Sequence, residues 1–242
     1  MSRIADKSVD MILCDLPYGT TACKWDTIIP FIPLWEQYER IIKDNGAIVL
    51  TASQPFTSAL VMSNPKLFKY CWVWDKMQGG NFLNAKKMPL RQYEDILVFY
   101  KKQSTYKPQL TDKEPSKIRK VGDRKKFDGG YIGKTNGKLS EDYDNAKSYP
   151  TDIIRYSSRM AECNTINRIH PTQKPVALFE YLIKTYTNEG ETVLDNCMGS
   201  GTTAIACMNT NRNYIGFEMD KGYFDIVNER IKNHRPQLKL IA

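Results

Sequence analysis

Twice in this chain a short apolar run ends in an aspartate that opens a tight turn. Val9-Asp10-Met11-Ile12-Leu13-Cys14 leads into Asp15-Leu16-Pro17-Tyr18, and Glu191-Thr192-Val193-Leu194 leads into Asp195-Asn196-Cys197-Met198-Gly199-Ser200-Gly201. Apolar runs of this length bounded by turn residues are buried strands. Further runs of the same kind lie at residues 47–52, 68–74, 91–100, 151–156 and 213–217. Helical patterns fall between them, at about residues 33–43, 54–62, 175–187, 202–209 and 221–233. In the first of these, Leu34, Tyr38, Ile41 and Ile42 share a face, and Gly46 reads as its C-terminal stop. Pro175 fixes the start of the third, and Asp220 caps the last. Strand alternating with helix is the pattern of an α/β fold, a mostly parallel twisted sheet with helices on both faces.

The turn at Asp15 offers an acid, a rigid corner and an aromatic face at the end of a buried strand. That geometry suits a flat, amino-bearing ring and the attack of a poor nitrogen nucleophile. The second turn belongs to a strand, Gly-x-Gly turn, helix, strand unit whose last strand ends at Glu218, 17 residues beyond Gly201. Such a unit binds a mononucleotide, the glycines letting backbone approach the ligand and the distal acid accepting ribose hydroxyls. No lysine follows Gly201, so a phosphate-gripping P-loop is disfavoured. Asp195 at the turn's entry adds an acceptor better matched to an ammonium than to a pyrophosphate. An adenosine carrying an amino-acid tail meets these demands, and S-adenosylmethionine adds the methyl electrophile that the first turn requires.

Charge is concentrated in one place. Of the net +8, the segment 101–160 carries +7 through fifteen Lys and Arg against eight Asp and Glu, and the remaining residues carry +1. Residues 101–149 lack periodicity but interleave Tyr106, Phe127, Tyr131 and Tyr143 with the cations. Cations track phosphates and aromatic faces stack on bases, so the segment reads as a nucleic-acid surface, with Lys117, Arg119, Lys120, Arg124, Lys125 and Lys126 as its densest cationic run. No stretch approaches the ~18 apolar residues of a membrane span, and no signal-peptide pattern opens the chain, so the expectation is a cytoplasmic protein with no membrane partner. The six cysteines form no CxxC pair and no zinc-like cluster with histidine, so they read as reduced packing residues, with no metal expected. Trp25, Trp35, Trp72 and Trp74 read mostly as core, Trp25 being also placed, beside the catalytic turn, to sense a target base, and His234 reads as solvated.

Asp15-Leu16-Pro17-Tyr18, His170-Pro171-Thr172-Gln173-Lys174-Pro175 and Asp195-Asn196-Cys197-Met198-Gly199-Ser200-Gly201-Thr202-Thr203 together resemble the catalytic, auxiliary and cofactor motifs of the amino-group DNA methyltransferases, in the beta order. The resemblance implies a Rossmann-like S-adenosylmethionine-dependent methyltransferase fold, with residues 1–100 as its catalytic half, 101–160 as a basic target-recognition insertion and 161–242 as its cofactor half. It implies a site-specific, adenine-N6 enzyme acting on a flipped base. Asp15, Leu16, Pro17 and Tyr18 would be catalytic, and Asp195, Cys197, Gly199, Gly201, Thr202, Glu218, Thr172 and Lys174 would bind the cofactor. Asp15 and the Leu16 carbonyl would accept the two N6 hydrogens while Tyr18 stacks on the base.

The family has proline where Leu16 and Asn196 stand, and members often carry an upstream Asp that this chain, starting fourteen residues before Asp15, replaces with another residue or forgoes with weaker cofactor affinity. Cytosine-N4 methylation, a DNA-binding module of the same fold, and methylation of a protein glutamine amide are the alternatives. A homodimer and a cognate restriction enzyme are further partners compatible with the resemblance.

Overall fold

The computed structural model describes residues 1–21, 23, 25–118, 144–158 and 173–234. In chain order the elements are β1 (Val9–Asp15), α1 (Phe31–Ile41), β2 (Ile42–Ala52), α2 (Phe56–Ser63), β3 (Phe68–Gly80), β4 (Arg91–Phe99), β5 (Thr111–Asp112), β6 (Lys147–Ser148), β7 (Ile153–Arg155), α3 (Val176–Tyr186), β8 (Thr192–Asp195), α4 (Thr202–Asn209), β9 (Asn213–Gly216) and α5 (Lys221–Asn233). Seven strands form one sheet in the order β7-β3-β4-β2-β1-β8-β9. β2, β1, β8 and β9 run parallel, as does β7 with β3, while β4 is antiparallel to both β2 and β3. The expected mostly parallel sheet is therefore mixed at β4, because the connection from β3 is a hairpin rather than a crossover helix.

The sheet divides two apolar layers, and strand alternation assigns residues to each. Met11, Leu13, Val49, Val98 and Val193 pack against Leu178, Phe179, Leu182 and Ile183 of α3 and Ile205 and Ala206 of α4. Ile12, Cys14, Ile48, Leu50, Leu97 and Leu194 pack against Leu34, Trp35, Tyr38 and Ile41 of α1 and Phe56 and Leu60 of α2. Trp35, Trp72 and Trp74 lie in these layers, whereas Trp25 is exposed.

The helices follow the expected periodicity with ends shifted by a residue or two, and Asp220 caps α5 by accepting the Tyr223 amide. One expectation is corrected. Gly46 does not stop a helix: it lies inside β2, which follows α1 directly, where a Cβ would stand 2.7 Å from the Asp10 carbonyl and from the Ile42 side chain. Glycine is required there by close strand packing rather than by a left-handed turn. His234 is partly exposed, its Nε2 2.7 Å from Asn209 Oδ1.

The chain divides into two compact units, one comprising Met1–Lys107 with Asp152–Ala242 and the other Pro108–Thr151. In the smaller unit β5 and β6 pair antiparallel, Thr111 opposite Ser148 and Asp112 opposite Lys147. It lies within the expected 101–160 insertion, while residues 152–158 belong with the larger unit and supply β7 to its sheet.

Candidate active site at the carboxyl edge of the sheet

In an open α/β sheet the loops leaving the carboxyl ends of the parallel strands diverge and leave a crevice. Here β1 ends at Asp15 and β8 at Asp195 on adjacent strands. Because β4 runs antiparallel, with Ala52 opposite Asp95, its residue Glu94 enters at the same edge. β9 is followed two residues later by Glu218. Four carboxylates thus come from four different strands to one edge of the sheet.

Asp15 is held from three sides. Oδ1 accepts the Tyr18 hydroxyl at 2.8 Å and the Thr51 hydroxyl of β2. Oδ2 accepts Lys174 Nζ at 2.7 Å, and the same ammonium stands 3.5 Å from Glu94 Oε2. Lys174 is only 7% exposed. Burial alone would lower its pKa, but the Asp15 and Glu94 carboxylates outweigh that and hold the ammonium above its ordinary value, so it stays charged. Glu94 Oε1 accepts Lys76 at 3.3 Å, and its buried Oε2 has no hydrogen-bond partner among the described residues. The Tyr18 ring stacks on Phe56 with centroids 5.2 Å apart, and Lys174 Nζ lies 5.6 Å from the Tyr18 centroid. Burial, reinforced by Asp15 and Glu94, pushes the Tyr18 phenol well above its usual pKa, so it remains a donor. Leu16 turns its side chain into the core beneath, which fixes the corner that the missing proline would have stiffened.

The loop that follows is organised by Asp26. Its Oδ1 accepts the Gly19 amide at 2.9 Å, and its Oδ2 accepts those of Thr20 and Thr21 at 2.9 and 2.6 Å. Burial raises the pKa of this carboxyl, but the bonds from Thr21, Gly19 and Thr20 outweigh it and keep the group below the usual carboxylate range. Gly19, at φ +67°, supplies the left-handed conformation the nest needs.

The second turn is closed upon itself. Asp195 Oδ1 accepts the Cys197 amide at 3.0 Å and Oδ2 accepts the Thr203 hydroxyl. At 3% exposure the carboxyl is desolvated, and burial pushes its pKa up to about 6 despite those bonds. Gly199 and Gly201 both sit at positive φ, 50° and 76°. Glu218 Oε2 accepts the Gly199 amide and Oε1 the Asp220 amide, each at 2.8 Å. Thr202, buried, donates its hydroxyl to the Lys174 carbonyl at 3.2 Å, tying this turn to the segment that carries the Asp15 partner. Asn196, in the family's proline position, accepts the Tyr38 hydroxyl of α1 and lies 3.4 Å from the Cys197 sulfur.

The two motifs read from sequence are therefore brought together, with Lys174 between them. Its ammonium is committed to Asp15 and Glu94. Thr172, His170, Arg119, Lys120, Arg124, Lys125 and Lys126 lie outside the described residues, and Lys117, exposed in the smaller unit, pairs with Glu114 at 3.0 Å. Glu94, Thr51 and Asp26 escaped the sequence reading. Glu94 sits in the polar start of a strand and Asp26 in an irregular loop, and neither forms part of a spaced motif. The signal that would have found Glu94 is a carboxylate at the mouth of a buried strand opposite a Lys-Pro pair. Among the described residues no group of three or more His, Cys, Asp and Glu could hold a metal ion, the five described cysteines are free, and no helix is long and apolar enough to cross a membrane.

Comparison with known proteins agrees with this geometry. Type II methyltransferase M.HpaI of Haemophilus parainfluenzae is 27% identical over 244 residues, spanning 96% of this chain and 70% of that protein. DNA adenine methyltransferase YhdJ of Escherichia coli (strain K12) is 27% identical over 238 residues, 92% of this chain and 76% of that one. The crystal structure of an M1.HpyAVI–SAM complex superposes with a TM-score of 0.58 at 25% identity, covering 92% of this chain and 88% of the other. The family model described as DNA methylase matches residues 9–229, and the chain belongs to that family.

Proposed function

We propose that the protein transfers a methyl group from S-adenosylmethionine to the N6 amine of an adenine flipped out of double-stranded DNA. The observation that carries this reading is the 2.7 Å contact between Asp15 Oδ2 and Lys174 Nζ: the acceptor at the end of β1 already holds an N–H donor. An exocyclic amine is a poor nucleophile because its lone pair is delocalised into the ring. Asp15 Oδ2 and the Leu16 carbonyl, accepting its two hydrogens, draw the nitrogen towards tetrahedral geometry and free that lone pair. As the amine arrives, Lys174 has a second acceptor within reach in Glu94 Oε2, which lacks a hydrogen bond. The proton shed by the methylated nitrogen passes to Asp15 Oδ2. Tyr18 and Phe56 form the apolar wall on which an extruded base rests.

The cofactor half fits a cationic, nucleoside-bearing group. Gly199 and Gly201 give the turn its left-handed backbone, and Asp15, Glu94, Asp195 and Glu218 make the edge acidic. When bound, S-adenosylmethionine supplies the methyl group on a sulfonium centre. Gly199, Gly201 and Cys197 would hold it through backbone, Glu218 through its carboxylate, and Thr172 and Thr202 from the flanking segments. Asp195, buried and with both oxygens engaged, acts by fixing the turn, whereas the half-buried Glu218 keeps lone pairs open to a ligand. The reading also includes the basic segment as the DNA-recognition surface, a cytoplasmic location, and, to be tested by light scattering and by protection from cleavage, a homodimer and a cognate restriction enzyme.

Asp rather than Ser at position 15 favours adenine over cytosine. DNA treated with enzyme and cofactor, digested to nucleosides and analysed by mass spectrometry, is expected to contain N6-methyladenine. N4-methylcytosine in its place would overturn the choice of base, and no methylated base with intact DNA binding would favour a binding module.

A further inference from the structure

Opposite the catalytic turn, the hairpin joining β3 to β4 leaves the sheet at the same edge and carries an unusual surface. Glu94, the neighbour of Lys174, lies opposite Trp74, and beyond that pair the two arms continue through Asp75 opposite Tyr93 to Gly80 opposite Arg91. Residues 76–92 therefore project past the strand ends beside Asp15. Met77, Phe82, Leu83, Met88, Leu90 and Tyr93 are all exposed, Leu83 at 99% and Phe82 at 61%. Soluble proteins seldom leave so many large apolar side chains together in water without a partner. The stretch 76–93 also contains Lys76, Lys86, Lys87 and Arg91 and no carboxylate. Lys86, Lys87 and Arg91 are exposed and form no ion pair among the described residues.

The tip is built rather than loose. Asn81, in the left-handed region at φ 67°, receives the Asn84 side-chain amide at 2.8 Å and the Asn84 backbone amide at 3.1 Å. The Met88 amide donates to the Asn84 carbonyl at 3.0 Å, and the Asn81 side chain reaches Met88 sulfur at 3.5 Å. At the stem Gly79 lets the arms close, since a Cβ there would stand 2.8 Å from that of Leu90. This bonding presents Phe82 and Leu83 on a 3-10 turn with no apolar cover among the described residues.

We propose that this hairpin is a DNA wedge: Phe82 and Leu83 enter the base stack and fill the space left by the extruded base, while Lys86, Lys87 and Arg91 take the flanking phosphates. Inserted apolar side chains offset the cost of unstacking a step, and a cationic surround free of carboxylates matches a polyanion rather than another protein. The inference rests on the reading that a flipped base is methylated at Asp15.

The test uses the full chain and a duplex carrying its own methylation site, located by modification-sensitive sequencing. With 2-aminopurine at the target position, the wild type is expected to raise fluorescence and the double variant Phe82→Ala, Leu83→Ala to lose most of that rise. The variant's methylation of the paired duplex should fall about tenfold or more, but by less than about threefold when the target base faces an abasic site, which is already unstacked. Lys86→Ala with Lys87→Ala should reduce the slope of log affinity against log salt by about two. Equal flipping by the variant, equal losses on the two substrates, or a shift from dimer to monomer with flipping intact would overturn the wedge. A wild type that methylates no base would instead overturn the functional reading on which it rests.

Discussion

Asp15 and Asp195 occupy equivalent places, each closing one of two adjacent parallel strands and opening a turn, yet their surroundings divide them. Asp195 is enclosed by its own turn, with the Cys197 amide on one oxygen and the Thr203 hydroxyl on the other, and burial lifts its pKa to about 6. Asp15 is half-buried, and its Oδ2 faces a lysine from a distant segment. A carboxylate whose partners come from its own turn fixes backbone. One whose partner is a separate side chain can exchange that partner for a substrate. Residue type and position in the fold thus leave the role open until the neighbours are known.

The comparison breaks most visibly if Asp15 is dispensable. Asp15→Ala is expected to lower the rate of methyl transfer by roughly 10²- to 10³-fold, the scale of losing one positioned polar group in a reacting centre, while leaving cofactor binding by calorimetry unchanged. An Asp15→Ala protein that still methylates at the normal rate would end the assignment. Next in size is Lys174. Lys174→Ala leaves the Asp15 and Glu94 carboxylates facing each other without their shared cation, which should cost about 3 to 4 kcal/mol in denaturant unfolding. Lys174→Arg should restore most of that stability but little activity, because a guanidinium cannot withdraw from Asp15 in the space an ammonium occupies.

For Asp195 the expected effect is on stability and its pH dependence. A carboxyl whose pKa is about 6 when folded and near 3.8 when unfolded binds more protons in the native state between those values. Stability contributed by this group is therefore full below pH 4, falls as pH rises through 6, and levels off above, by about 3 kcal/mol in all. Asp195→Asn should flatten that part of the curve, measured by urea unfolding across pH 4 to 7. An unchanged slope would mean that Asp195 is less enclosed than its neighbours indicate.

Much of this arrangement was legible in the sequence because it follows from short-range chemistry. The apolar runs ending at Asp15 and Asp195, the left-handed glycines at 199 and 201 and the cap at Asp220 each leave a local signature. The partners of Asp15 did not. Thr51 stands opposite it only through the register of β1 with β2, and Glu94 reaches the same edge only because β4 reverses direction. Lys174, 159 residues away, reads as a cofactor residue only through the resemblance of its motif to the family's auxiliary one, and no local pattern pairs it with Asp15. Gly46 was misread for a related reason: the demand for a missing side chain comes from Asp10 on the neighbouring strand, which no local pattern records.

Asp26 gives the smallest effect and the sharpest test of the distinction between fixing backbone and doing chemistry. Like Asp195 it binds the amides of a turn, but the turn is the one that follows Tyr18. If it works as a fixing carboxylate, Asp26→Ala should lose about 1.5 kcal/mol of stability, the scale of hydrogen bonds to a charged group. Its methyl-transfer rate should fall about tenfold, equivalent to 1.4 kcal/mol, through a less ordered Tyr18. Because bonds from Thr21, Gly19 and Thr20 hold the native pKa of Asp26 down, its stabilisation is present above the unfolded pKa and is lost as pH falls through the folded one. The wild type minus Asp26→Ala stability difference should therefore shrink in acid, opposite to the trend for Asp195. Asp26→Asn, which keeps one acceptor, should recover part of the rate. A loss as large as that of Asp15→Ala would instead place Asp26 in contact with the reacting amine, and the division between the two kinds of carboxylate would have to be redrawn.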